Sequence, residues 1–308
     1  MPTIKNFDQV FKIAEREDAM RMTVISAGDA EVMLTVKEAR ERGFIEPILI
    51  GDEDKIKEAS KGADFNLDGV KIVHEREPQV MAYASVEMAI RGDAEMQMKG
   101  RLPTSYLYRA VIRKRFRSPG VKKFNVIDFY ELPSIDHFIA ITDSGINITP
   151  DFETKLEIIQ NTVSIFHLLG YPEPSVLPLS AAREVNPDLV SARDNRLLRT
   201  ARREGRVDDC VIEDAFSLSD LFLGYRRYFD RGNLDLSKTP HIFLTPNLDA
   251  GNILAKLYHL FEGVRWPAHI IGGAKTPVLI PSRGDDHRMM INNIAFGVAI
   301  AHLMEEKR

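Results

Sequence analysis

The fold class this sequence predicts is α/β with mostly parallel sheets, and two observations predict it. A short apolar run, a polar or small-residue loop and a helical pattern recur in that order along the chain, in TVISAGDAE, PILIGDED, AEMQMKGRLPTS, FIAITDSGINITPD, SVLPLSAAREVNP, HIFLTPNLDAGN, AHIIGGAKTP and VLIPSRGDD. Strands that are short, apolar and separated by helices are covered on both faces, as parallel strands joined by helical crossovers are. The second observation is size. With 308 residues, 44% hydrophobic and 28% charged, the chain is an ordinary globular sequence that more naturally divides into two lobes than builds one core.

In chain order, MPTIKNFDQVFKIAERED begins helix-like and charge-mixed and lacks the apolar core of a signal peptide, which makes the cytoplasm the expected location. DAEVMLTVKEARERG predicts a helix with Asp29 as its cap, Val32, Val36 and Ala39 on one face, and Gly43 as its stop. In MKGRLPTSYLYRAVIRKRFR, Lys99 and Gly100 end a strand, Thr104 and Ser105 are placed to cap the next helix, and Arg109 lies one turn into it. In TPDFETKLEIIQNTVSIFHLLG, Thr149 is the expected N-cap with Pro150 at the first helical position. Leu156, Ile159, Val163 and Phe166 form a stripe, and Gly170 then Pro172 stop the helix, which therefore spans about 151–169. That helix is the expected crossing between lobes. A second strand-and-helix series follows, and the last helix, HRMMINNIAFGVAIAHLM, is apolar enough to return to the first lobe. The expected domains are residues 1–150 plus 282–308, and residues 151–281.

Composition excludes several functions. A net charge of −4 argues against a nucleic-acid surface, and no run of about 18 apolar residues offers a membrane span. Cys210 is the one cysteine, so there is no disulfide framework and no cysteine zinc site; a small buried hydrophobe is its expected role. No G-x-G-x-x-G, Walker A, H-E-x-x-H or G-x-S-x-G pattern occurs, and no two of the eight histidines stand at ligand spacing on one helix, so no metal site is expected.

What remains are strand-end loops. Ligands of such folds sit outside the carboxyl ends of the strands, where helix starts leave backbone N–H groups open to anions. VLIPSRGDD runs a strand into Ser282, Arg283, Gly284 and two acids, either an anion site or a polar turn with a cap. Lys99, Thr104 and Arg109 can converge on a phosphate or carboxylate, or Arg109 can join Arg113, Lys114, Arg115 and Arg117 on a solvated face. Asp143, Ser144 and Asn147 follow a strand, and Asn147 either faces a ligand or stabilises a turn. Asp249 and Asn252 open a helix, as caps or as ligand-orienting groups. In GGAKTP, Lys275 on a glycine turn is either a phosphate partner or a solvated lysine.

Taken in order, MKGRLPTSYLYRAV, TDSGINITPDFETKLEIIQN, PNLDAGNILAKL, GGAKTPVLI and PSRGD resemble the phosphate acetyltransferase and phosphate butyryltransferase family, closer to the butyryl branch, over about residues 20–300. The resemblance implies a two-lobed fold like that of the isocitrate and isopropylmalate dehydrogenases, with the active site in the cleft between lobes. It implies acyl transfer between coenzyme A and phosphate on a short or branched acyl group. Coenzyme A is then a substrate, no cofactor is needed, and the chain assembles as a homodimer or larger homo-oligomer. Such a reaction needs a thiolate, a held phosphoryl group and a stabilised oxyanion. By position, Ser282 and Arg283 would stabilise the transition state, Arg109 would bind phosphate beside Lys99 and Gly100, and Asp143 and Asn147 would line the cleft.

Three departures stand out. Similar members carry an acid six or seven residues beyond the Ser-Arg pair, where this chain has Arg288 and Met289, leaving Asp285 or Asp286 as the substitute. Arg101 and Pro103 occupy positions that are usually aliphatic and histidine-like. VIEDAFSLSD, with Phe216, replaces a glycine-proline turn. The alternative is a non-catalytic relative that binds coenzyme A esters or acyl phosphates, and a dehydrogenase sharing the fold ranks third.

Overall fold

The computed structural model describes residues 2–16, 18–182, 186–213, 239–257 and 265–307. The substituted turn around Phe216 lies outside them. The elements in chain order are α1 (Phe7–Ala14), β1 (Met20–Ile25), α2 (Ala30–Glu41), β2 (Ile45–Gly51), α3 (Glu53–Gly62), β3 (Lys71–His74), α4 (Pro78–Arg91), β4 (Met96–Lys99), α5 (Thr104–Arg113), β5 (Asn125–Glu131), β6 (Ile139–Thr142), α6 (Phe152–Leu168), β7 (Ser175–Pro178), α7 (Val190–Arg203), β8 (Val211–Ile212), β9 (Ile242–Leu244), α8 (Leu248–Leu257), β10 (Arg265–Gly272), β11 (Val278–Leu279) and α9 (His287–Glu306). The fold is mixed α/β with mostly parallel strands, and no helix among the described residues is long and apolar enough to cross a membrane.

The chain groups into two compact units, one of residues 7–121 with 266–308 and one of residues 1–6 with 122–265. These bounds differ from the breaks expected near 150 and 281, and strand pairing gives the reason. β5 and β6 pair with each other, and β6 pairs with β9, which ties residues 125–142 to the later strands. β10 pairs with β11 and β11 with β4, which ties residues 266–281 to the earlier ones.

In the unit of residues 7–121 and 266–308 the strand order is β3-β2-β1-β4-β11-β10, parallel except for the β10–β11 hairpin. The chain leaves β1 in one direction toward β2 and β3 and returns on its other side as β4. The carboxyl ends of β1 and β4 therefore form a topological switch point, the place where open α/β sheets bind ligands. α9 packs on α1, α2, β4 and β11 and is buried along most of its length. Gly297 on α9 lets it approach so closely that a methyl group there would stand 2.7 Å from Met96 Cε and 2.8 Å from Leu279 Cδ2.

In the unit of residues 1–6 and 122–265 the order is β5-β6-β9-β7-β8, parallel except for β5–β6. Its core joins Tyr130, Ile139, Ile141, Leu177, Phe243 and Ala255, and the Tyr130 hydroxyl donates to the Ala255 carbonyl at 2.7 Å. α6 lies wholly within this unit, so it is no crossing between units. Its stripe of Leu156, Ile159, Val163 and Phe166 is buried as the periodicity requires. Its cap is Asp151 rather than Thr149, with the Asp151 carboxylate accepting the Thr154 N–H at 2.8 Å. A full negative charge answers the positive end of the helix better than a neutral hydroxyl does. α2 is capped by Asp29 as the sequence predicts, the carboxylate accepting the Val32 N–H at 3.1 Å.

Candidate active site

Each unit gathers its polar loop residues at the carboxyl ends of its own strands. In the unit of residues 7–121 and 266–308 these are the ends of β1, β4 and β11. Gly100 follows β4 so tightly against β1 that its N–H donates to the Ile25 carbonyl at 2.6 Å, and a Cβ there would lie 2.6 Å from the Ser26 carbonyl oxygen. Only glycine fits, and this crowding fixes where Lys99 begins its side chain. Lys99 is 2% exposed. Burial is the main force pulling its amine down to about 8. The cations Arg101 and Arg283 act in the same sense, and the Asp285 carboxylate opposes them.

After β11 the chain turns at Ser282, Arg283 and Gly284. The Asp285 carboxylate closes the turn, with Oδ2 accepting the Ser282 N–H at 2.7 Å while the Asp285 N–H donates to the Ser282 carbonyl at 3.2 Å. Asp285 is 2% exposed, and its Oδ1 is buried without a hydrogen-bond partner among the described residues. The His269 ring on β10 approaches from the side, with Nε2 3.7 Å from Asp285 Oδ2. Asp286 does a different job: it caps α9, accepting the Met289 N–H at 3.0 Å. Of the two acids left open by the sequence, Asp285 is therefore the one at Ser282. Arg283 and Arg288 are exposed, and the Arg283 guanidinium makes no hydrogen bond or ion pair among the described residues.

Arg101 crosses over this turn. Its Nη1 donates to the Arg283 carbonyl in a short bond, its Nη2 reaches the Asp285 carbonyl at 3.4 Å, and its Nε lies 3.4 Å from the Asp29 carboxylate. Arg109 is exposed with its guanidinium carbon 5.7 Å from the centre of the Tyr106 ring. Thr104 is the first residue of α5 rather than its cap: Pro103 holds the cap position and makes no side-chain cap bond. No side-chain hydrogen bond or ion pair among the described residues joins Thr104 or Arg109 to Lys99.

Lys275 lies elsewhere. β11 runs parallel to β4 with Val278 opposite Gln97, so residues before Val278 sit at the amino end of β4 and residues after Leu279 at its carboxyl end. Lys275 accordingly lines a cavity of about 340 Å³ with Arg21, Glu95 and Glu305 at the edge opposite Lys99 and Ser282. A glycine-turn lysine looks alike at either end of a strand, and only the direction of the hairpin decides which end it serves.

In the unit of residues 1–6 and 122–265, Asp143 follows β6 and is 2% exposed. Its Oδ1 accepts N–H bonds from Val126 at 2.9 Å, Gly145 at 3.0 Å and Ile146 at 3.1 Å. Its Oδ2 accepts from the Asn147 backbone at 2.7 Å and the Asn147 side chain at 2.6 Å. Burial pushes this carboxyl above its ordinary range, against the opposing pull of those donors. Asn147 spends its other amide hydrogen on the Phe124 carbonyl at 2.8 Å. Asp143 and Asn147 thus shape the loop. The loop after β9 locks onto it: the Thr245 hydroxyl donates to the Asp143 carbonyl at 3.0 Å, and the Asn252 amide donates to the Ser144 carbonyl at 3.1 Å. A Cβ at Gly251 would stand 2.2 Å from the Asp143 carbonyl oxygen. Asn247 caps α8 through the Ala250 N–H at 2.9 Å, which leaves Asn252 for this contact. On the same strand edge lies an apolar cavity of about 760 Å³ lined by Phe152, Leu189, Val190, Leu197, Pro246 and Asn247.

His269, Thr245 and Gly251 escaped sequence reasoning. His269 is the one polar residue in the apolar run that follows Arg265 on β10, which is a faint signal; Gly251 sits inside a helix where nothing local requires glycine. Among the described residues, no three or more His, Cys, Asp or Glu side chains cluster in a way that could hold a metal. Cys210 is buried, and burial raises its thiol to about 11, which keeps it unreactive.

Comparison with known proteins gives the cluster a context. The family described as Phosphate acetyl/butaryl transferase matches residues 75–298. A phosphate butyryltransferase from Clostridium acetobutylicum is 27% identical over 299 residues, covering 97% of this chain and 99% of that protein. Among solved structures, a branched-chain phosphotransacylase from Enterococcus faecalis superposes with a TM-score of 0.74 at 22% identity, over 92% of this chain and 99% of its own. A 4-hydroxythreonine-4-phosphate dehydrogenase from Klebsiella pneumoniae superposes with a TM-score of 0.58 at 9% identity, over 92% and 98%, a likeness of fold alone.

Proposed function

The chain belongs to the phosphate acetyl/butyryl transferase family, and on that premise we propose that it moves a short or branched acyl group between coenzyme A and phosphate. The observation that carries this reading is the Asp285 carboxylate, turned onto Ser282 beside Lys99 with one oxygen left over. In the forward direction a phosphate oxygen attacks the thioester carbonyl carbon, the carbon–sulfur bond breaks, and the thiolate leaves and takes up a proton. In reverse, the thiol gives its proton to a base, its sulfur attacks the acyl carbon of the acyl phosphate, and the carbon–oxygen bond breaks to release phosphate. Asp285 Oδ1 is the proposed proton acceptor and donor, since Oδ2 is occupied by the Ser282 N–H. The exposed Arg283 guanidinium and the Lys99 amine supply positive charge for the phosphoryl oxygens. The Ser282 hydroxyl and Arg283 meet the oxyanion of the tetrahedral intermediate.

Arg109 remains part of the proposal as a phosphate contact reached from solvent, with Thr104 as the first residue of the same helix. Asp143 and Asn147 enter as the frame of their loop rather than as donors to substrate. Lys275 has no part in it. The finer expectations belong to the proposal too: two lobes with the substrate between them, a cytoplasmic location, a homodimer or larger assembly, and no cofactor beyond coenzyme A as substrate. The family resemblance supports them. The non-catalytic alternative rested on Arg288 and Met289; the family membership and the Asp285 carboxylate at Ser282 support the catalytic reading over it.

The test is release of free thiol from a panel of acyl-CoA esters with and without phosphate. The expected result is phosphate-dependent thiol from at least one short or branched ester, lost in Arg283→Ala. No phosphate-dependent thiol from any ester overturns the reading.

A further inference from the structure

We propose that Arg101 is a positioning residue that holds the Ser282–Asp285 turn in its working shape, a role that rests on the reading of that turn given above. The turn has few other ties: His269 on β10 lies 3.7 Å from the Asp285 carboxylate, and at its far end Asp286 caps α9. Arg283, Gly284 and Asp286 are exposed, and a Cβ at Gly284 would meet nothing within 4 Å. Within the segment, the reciprocal Ser282–Asp285 bonds close the loop but do not anchor it to the sheet. Arg101 does. It grips the carbonyls on both sides of Gly284, those of Arg283 and Asp285, and its Nε faces the Asp29 carboxylate that caps α2. One planar guanidinium thus joins the loop after β4, the start of α2 and the turn after β11, a geometry that a fork of donors satisfies and a point charge cannot.

The same placement argues against substrate contact. Arg101 turns both its Nη groups to backbone carbonyls, whereas Arg283 and Arg109 point exposed guanidinium groups to solvent. The charge of Arg101 also acts on Lys99, together with Arg283 and against Asp285. Losing the fork frees the turn, and losing the charge lets the Lys99 amine hold its proton to higher pH.

Arg101→Met and Arg101→Lys separate the two effects. In Arg101→Met, kcat for phosphate-dependent thiol release falls about 10-fold to 100-fold while KM for the acyl-CoA stays within about twofold, the size expected when a reacting group is misplaced by about 1 Å. The alkaline limb of its pH profile moves upward. In Arg101→Lys the fall in kcat persists, because lysine cannot span two carbonyls, but the limb stays in place. Amide exchange over residues 282–286, read by mass spectrometry, quickens in both. A change confined to protein yield or melting would leave the split between kcat and KM and the pH limb unmoved. Wild-type kcat in either variant overturns the inference, as does unchanged exchange over 282–286. If Arg101→Met does not fold, Arg101→Lys decides by the same two readouts. If the wild type itself releases no thiol, the acyltransfer reading falls, and the exchange measurement alone decides the clamp.

Discussion

Asp143 and Asp285 are the same residue type, each 2% exposed, each at the end of a parallel strand, and they are wired in opposite ways. Asp143 accepts five N–H bonds, so its acceptor sites are filled by its own loop. Among the described residues Asp285 accepts one, faces a lysine whose amine is pulled down to about 8, and leaves Oδ1 without a hydrogen-bond partner. A buried carboxylate with every lone pair answered is a structural rivet. One with an unanswered oxygen among cations carries a desolvation cost that its fold does not repay by bonding, and such groups concentrate where chemistry is done.

The contrast can be broken by substitution. The largest expected effect is in Asp285→Asn: the amide oxygen still accepts the Ser282 N–H, so melting changes little, but proton transfer is lost and kcat falls on the order of 10²-fold to 10⁴-fold. Full activity in Asp285→Asn would end the assignment. Next comes Gly251→Ala, whose methyl group meets the Asp143 carbonyl oxygen at 2.2 Å; denaturant unfolding should report a loss of about 3 kcal/mol. Asp143→Asn turns an N–H toward donors that need an acceptor and destabilises by about 2 kcal/mol. The folded fraction of Asp143→Asn should retain more activity than Asp285→Asn; the reverse order would exchange the roles of the two acids.

Smaller still is the pH effect of Lys99. With its amine at about 8, the ammonium form proposed to attract phosphate is lost as pH rises through that value, so kcat/KM for phosphate should decline on the alkaline side, by up to about tenfold per pH unit. Lys99→Arg keeps its charge and should lack this limb. The smallest effect is in Arg109→Ala, where an exposed guanidinium is removed: phosphate KM rises by no more than about fivefold.

Strand-end loops were legible one at a time because strand, loop and helix leave local marks: apolar runs, small residues, caps. That is why Lys99, Gly100, Ser282 and Arg283 could be placed at the ends of strands from their neighbours in sequence. Lys275 could not be excluded that way, because its edge of the sheet follows from the direction of a hairpin. His269 and Asp285 meet across the distance between β10 and the turn after β11, and Arg101 meets Arg283 across 182 residues of chain.

The sequence by itself determined the α/β class, the Asp29 cap of α2 and the family, since each depends on periodicity or on ordered motifs that are local. Only the tertiary structure decided that Asp285 rather than Asp286 serves Ser282, that Asp143 is consumed by its own loop, and that β5 and β6 belong with the later strands. Those outcomes depend on burial and on competition among donors from distant segments, and neither is set until the sheet has brought the segments together.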